Sequence, residues 1–156
     1  ELKIRMIPTK IMQGDKVSVT VFYENLNEIQ ASQGSKITSE DAVESGILNI
    51  TSNEGSILNL KIEADILNAK TNSGGIINIS GTAKTQDVLV NSGANFNGRN
   101  LKSEVTSVTT NAGGNADVYA SKTVTATNRA GGNINVYGSP ENRNTKNMLG
   151  GKINFR

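Results

Sequence analysis

The chain has 156 residues and a net charge of +2, and is only 35% hydrophobic and 4% aromatic. That length fits one domain, and so small a net charge gives no reason to expect nucleic acid as a partner. With no cysteine and no histidine, it can build no disulfide framework, no Ser-His-Asp or Cys-His site and no ordinary zinc site.

In chain order, Glu1–Tyr23 stands apart from the rest of the sequence. Leu2–Ile7 and Val17–Tyr23 read as two strands around Gln13-Gly14-Asp15, with Val17, Val19 and Val21 alternating with polar residues. No apolar run approaches the ~20 residues that span a bilayer. The chain opens on Glu1 rather than Met, and the expectation is that an upstream segment has been removed.

From residue 24 to 137 the chain repeats. Gly34, Gly55, Gly74, Gly93, Gly113, Gly131 and Gly150 are separated by 21, 19, 19, 20, 18 and 19 residues. A turn residue recurring at about 20 positions is the mark of a stacked repeat. Three places after these glycines stand Ile37, Leu58, Ile77, Phe96, Ala116, Ile134 and Ile153. Five places before the first six stand Ile29, Ile50, Ala69, Val88, Val108 and Ala126, and five places after the last six stand Leu60, Ile79, Gly98, Val118, Val136 and Phe155. Between the two rows after the glycine runs a polar row, Asn59, Asn78, Asn97, Asp117, Asn135 and Asn154. Apolar, polar, apolar is a strand with one buried face. Like residues at one phase over successive repeats require coils stacked in register. The pattern predicts an all-β fold, a right-handed single-stranded parallel β-helix of about seven coils of ~19–20 residues.

The glycine corner reverses the chain in a left-handed conformation. Asn53, Asn72, Asn91 and Asn111, two places before it, predict an internal Asn ladder. Asn128 and Asn147 fall one place early, which predicts altered corners in the last coils. A third side is weaker, with Ile62, Ala64 and Ile66 its clearest members, then Ala83 and Leu101. The whole chain, 1–156, is read as one domain. Residues 1–23 cap its N-terminal end, and 138–156 form a polar loop with Pro140 and a final strand, Lys152–Phe155.

Three features together resemble a known family. They are Tyr23-Glu24-Asn25-Leu26-Asn27-Glu28-Ile29-Gln30-Ala31-Ser32 leading into the first coil, the repeated Ser/Ala-Gly-Gly corners, and Val136-Tyr137-Gly138-Ser139-Pro140 followed by Gly150-Gly151-Lys152-Ile153. From about Val17 to its end the chain is similar to the head GIN domain proteins of Bacteroidetes-type bacteria, also named as autotransporter adhesins. The resemblance implies a bacterial β-helical protein exported to the periplasm, the outer-membrane surface or the extracellular space. It also implies a chain often made as a lipoprotein, so peripheral or lipid-anchored to a membrane at most. The family has no established activity.

The residues offer little catalytic chemistry. Glu40, Asp41 and Glu44 are the only acid cluster and read as a solvated loop, and Asp117 reads as a structural member of the Asn row. Asn111-Ala112-Gly113-Gly114-Asn115 is followed by no Lys-Ser/Thr, so a phosphate loop is rejected. No catalytic residue, metal ligand or cofactor is expected. One surface feature remains. Tyr119 and Tyr137 lie six places after their glycines and should stack on adjacent coils, with Arg99 before and Arg156 after at the same phase. They read as a cross-strand aromatic pair, or as a shallow platform for glycan or a surface protein. The expectation is a non-enzymatic exported adhesin or ligand-presenting scaffold. A self-assembling β-helix module and a carbohydrate-active enzyme are the alternatives.

Overall fold

A computed structural model describes residues 1–5 and 18–156. Its strands are β1 (Glu28–Ala31), β2 (Lys36–Ser52), β3 (Ile57–Thr71), β4 (Ile76–Val90), β5 (Asn95–Thr110), β6 (Asn115–Tyr119), β7 (Thr123–Ala130), β8 (Asn133–Tyr137), β9 (Asn142–Leu149) and β10 (Lys152–Phe155). Every pairing is parallel. The ladder runs β1-β2-β3-β4-β5-β6-β8-β10, while β7 pairs with β5 and β9. Each of β2 to β5 runs as one strand through the bends of a coil, with register skips at Thr38/Ala42 and Asn78/Ser80. The next two coils are split, as β6 with β7 and β8 with β9. The chain is a parallel β-solenoid of about seven turns.

The apolar rows sit one above another. Ile37, Leu58, Ile77, Phe96, Ala116, Ile134 and Ile153 are successive register partners. Of these, Leu58, Ile77, Phe96, Ala116 and Ile134 are fully buried. Ile29, Ile50, Ala69, Val88, Val108 and Ala126 form a second continuous buried row. Each large aliphatic or aromatic side chain so buried contributes roughly 1.5–3 kcal/mol. The size of Phe96 is accommodated by its neighbours. A Cβ on Gly98 would run into the Phe96 ring, and Ala116 lies on the next coil.

The polar rows are bonded along the axis. Asn78 donates to Asn59 at 2.8 Å and Asn97 to Asn78 at 2.6 Å. Asp117 has no side-chain N–H to continue the chain, but its carboxylate accepts from Asn135 at 2.8 Å. The corner ladder runs from Asn111 to Asn91, Asn72 and Asn53 at 2.6–2.7 Å per bond. Each of these corners is a β-turn with both central residues left-handed. In Asn72-Ser73-Gly74-Gly75, φ is 50° at Ser73 and 71° at Gly74, and the Gly75 N–H donates to the Asn72 carbonyl. In the last coils Asn128 occupies the inward position of Thr110. It is fully buried, donates to Gly132 O at 2.9 Å and accepts from the Gly132 N–H. The corner changes with it: Gly131 has φ 71°, and the residue before it is no longer left-handed.

The structure corrects three local expectations. Ile66 points outward, 40% exposed, and Leu67 is the buried member of that side. The reason is a bend at which Asp65 and Ile66 both face solvent, which shifts the alternation by one. Glu40 and Asp41 of the acid cluster lie not in a loop but in a bulge within β2, where the register skips between Thr38 and Ala42, and Glu44 follows the bulge in register with Glu63. Residues 142–149, expected within or beside a polar loop, form β9, because backbone pairing with β7 is indifferent to side-chain polarity. At the other end, residues 1–5 and 18–23 are exposed and carry no strand, and the rest of the expected cap, 6–17, lies outside the described residues.

Candidate binding groove

Tyr119 and Tyr137 are register partners on β6 and β8, and both are half-buried. Arg156 is in phase with Tyr137, since its backbone N–H donates to the Val136 carbonyl at 2.8 Å. Arg99 is exposed on a bulge of β5, and pairing between β5 and β6 ends at Asn97–Asp117, so the ladder does not tie it to Tyr119. The cation at Tyr119 is instead Lys102, whose Nζ lies 3.9 Å from the ring centroid. On another side of the ring runs the backbone at Gly138, where φ is 88° and a Cβ would sit 3.1 Å from Tyr119 Cζ. The ring thus has a cation over its face and a chain passing close to its phenol end.

What fixes Tyr119 is a short cut in its coil. From Asn97 to Val105 the chain takes eight steps, whereas their partners Asp117 and Thr123 are six apart. The chain therefore turns inward after Tyr119, leaving its carbonyl facing the core. Gln86 donates to that oxygen at 2.9 Å and Thr106 at 2.7 Å. Gln86 is fully buried at the phase where β2 and β3 carry Leu48 and Leu67. A glutamine at a leucine phase is the sequence signal of this bond, and neither it nor Lys102 is among the expected site residues.

Beside Tyr119 a groove of about 650 Å³ runs along the axis. Three rows make it. A middle row of small residues, Ser45, Ala64, Ala83 and Ser103, continues to Ser121, whose N–H donates to the Ser103 carbonyl. On one side the register row is Glu44, Glu63, Thr82 and Lys102. On the other, Lys84 binds Asp65 and Lys122 binds Glu104, each at 2.6 Å. The hydrogen bond that Lys84 donates to Asp65, then that carboxylate's charge, hold its ammonium above the ordinary lysine value. Small side chains between long charged ones are what make the surface concave. Among the described residues no group of three or more His, Cys, Asp or Glu is placed to hold a metal ion.

The comparisons with known proteins point the same way as this architecture. The family profile described as "Putative auto-transporter adhesin, head GIN domain" matches residues 1–140. The chain belongs to this family. Among solved structures, this head GIN domain is similar to a "putative adhesin" from Bacteroides fragilis, with a TM-score of 0.80 and 20% identity over 84% of this chain and 61% of that one. It is also similar to a "putative lipid binding protein" from Parabacteroides distasonis, with TM-score 0.73, 20% identity and 85% and 54% coverage. A "putative adhesin" from Parabacteroides merdae gives 0.69, 19%, 84% and 64%. The head GIN domain thus spans less than two thirds of each of these chains, and the likeness is one of fold. The curated proteins hold no match to it.

Proposed function

We propose that this head GIN domain is a non-enzymatic, exported domain of the bacterial surface or periplasm that presents a ligand-binding face, with glycan as its ligand. The observation that carries the reading is the Tyr119 ring, fixed under Lys102 at the end of an open groove walled by polar and charged residues. A sugar offers C–H groups to an aromatic surface and hydroxyls to side chains that donate and accept. The family's adhesin description agrees with it. Tyr137 on the next coil and Arg156 in phase with it extend the face, whereas Arg99, on its bulge, is left out of it. An open groove excludes little water, so affinity for any one sugar should be weak. Glycan-array and calorimetric binding of the parent and of Tyr119→Ala/Tyr137→Ala test the reading. Lost binding with unchanged Tm supports it; unchanged binding, or a lowered Tm alone, returns the pair to a structural role.

A further inference from the structure

The two walls of the groove differ in what their charges already hold. On one, Asp65 with Lys84 and Glu104 with Lys122 neutralise each other between adjacent coils. On the other, Glu44, Glu63 and Lys102 lie in one register row, separated only by Thr82, and among the described residues none of the three is in an ion pair. Two carboxylates on adjacent coils, ~4.8 Å apart, repel each other, and a ligand cation between them would relieve that repulsion. Two coils beyond Glu63, the Lys102 ammonium rests on the Tyr119 face. That contact steadies the cation without consuming its N–H donors, which stay available to an anion. The row is therefore negative at one end and positive at the other, with ~10 Å between Glu63 and Lys102.

We propose that this groove binds a zwitterionic glycan, with an ammonium of the glycan at Glu44 and Glu63 and a carboxylate at Lys102. The proposal rests on the glycan reading above and adds the charge pattern that selects among glycans. A peptide fits less well, because β3, β4 and β5 are interior strands whose backbones are already paired and offer no edge for strand addition. An extended 1,4-linked sugar chain advances per ring by nearly the rise of one coil, so successive rings meet successive coils. The small middle row leaves room for the rings between the walls.

The test uses four oligosaccharides of one backbone and length: cello-, carboxymethyl-cello-, chitosan and carboxymethyl-chitosan oligomers, which are neutral, anionic, cationic and zwitterionic. Calorimetry at low salt should rank the zwitterion first, by roughly three- to fivefold over either singly charged oligomer, the worth of one exposed charge contact. That margin should close at about 0.5 M salt. Lys102→Met should abolish the preference of the zwitterion over chitosan. Glu44→Gln/Glu63→Gln should abolish its preference over the anionic oligomer, with Tm unchanged in both variants. Equal binding of zwitterionic and singly charged oligomers, or variants that weaken all four alike, overturns the proposal. If the neutral oligomer binds as well as the charged ones, the dipolar selection falls and the glycan reading stands. If none binds and a glycan array is blank, both fall. A zwitterionic peptide that outcompetes the sugars overturns the choice of ligand.

Discussion

Ile77 and Asn78 are neighbours on β4 with opposite surroundings. Ile77 is fully buried in the first apolar row, whereas Asn78 is half-buried in the outer ladder, donating to Asn59 and accepting from Asn97. Ile77→Asp strands a charge in the core and should cost several kcal/mol, enough to prevent folding. Asn78→Asp keeps the acceptor for Asn97 and loses the one part-buried bond donated to Asn59, so its Tm should fall by a few degrees at most. Equal losses in thermal melts would displace the register. Gln86 and Thr106 invite a sharper experiment. Both donate to the Tyr119 carbonyl, while Gln86 Oε1 is buried without a partner. Gln86→Leu completes the Leu48–Leu67 row and removes that orphan, so alone it should be near neutral. Combined with Thr106→Val it leaves the carbonyl unsatisfied, and the pair should lose ~1–3 kcal/mol more than the sum of the single changes. Additive losses in denaturant titrations would mean the two bonds are independent.

The corner turns are the next level up. Gln33, Glu54, Ser73, Ser92 and Ala112 are all left-handed without being glycine, with φ between 47° and 55°. Side chains there cost roughly 1–2 kcal/mol each, and Ala112 has no polar side chain to offset it. Ala112→Gly should therefore change stability by no more than about 1 kcal/mol, and toward higher Tm, relief of strain outweighing the added freedom of the unfolded chain. A clearly lower Tm would show the turn to be unstrained. Most of this element was legible beforehand, because a fixed phase repeats one environment: the glycine spacing, the apolar rows and the Asn53–Asn111 ladder all follow from that. One break in phase is legible, the early Asn128 that marks an altered corner, but breaks set by where a coil bends are not. The outward turn of Ile66 depends on where the coil bends, and β9 is a strand whose side chains carry no strand pattern. The groove was missed for the same reason. Glu63 and Lys102 are 39 positions apart in a 156-residue chain, and only the stacked register puts them in one row.

At the scale of the whole molecule, the two ends of the solenoid are unlike. β9 places Arg143 and Thr145 in register with the buried Val124 and Ala126, so polar side chains stand where the core rows would continue. The Arg143 guanidinium lies 4.4 Å from the Phe155 ring centroid and its Nε donates to Pro140 O at 3.2 Å. Inward charge of this kind blocks strand addition. Arg143→Leu should therefore raise concentration-dependent association in sedimentation, and a variant that stays monomeric would remove that role. At the opposite end β1 pairs on one side only, with β2, and Phe22 before it is 92% exposed. The capping role expected for the leading residues is tested by deleting 1–15: association that rises with concentration supports it, whereas an unchanged monomer of unchanged Tm removes it.

The corner spacing also sets how such a rod fails under load. Each coil is held to its neighbours by bonds between residues about 19 apart in sequence, as in Asn59 with Asn78 and Asn78 with Asn97. A pull on one terminus therefore loads a single coil at a time. It should peel the outermost coil and then present the next in the same geometry. Stretched in an optical trap, the domain should yield in a series of small rips, each releasing ~65 Å of chain for 19 residues drawn out straight. A tether built this way lengthens in steps while its remaining coils, and whatever they hold, stay folded.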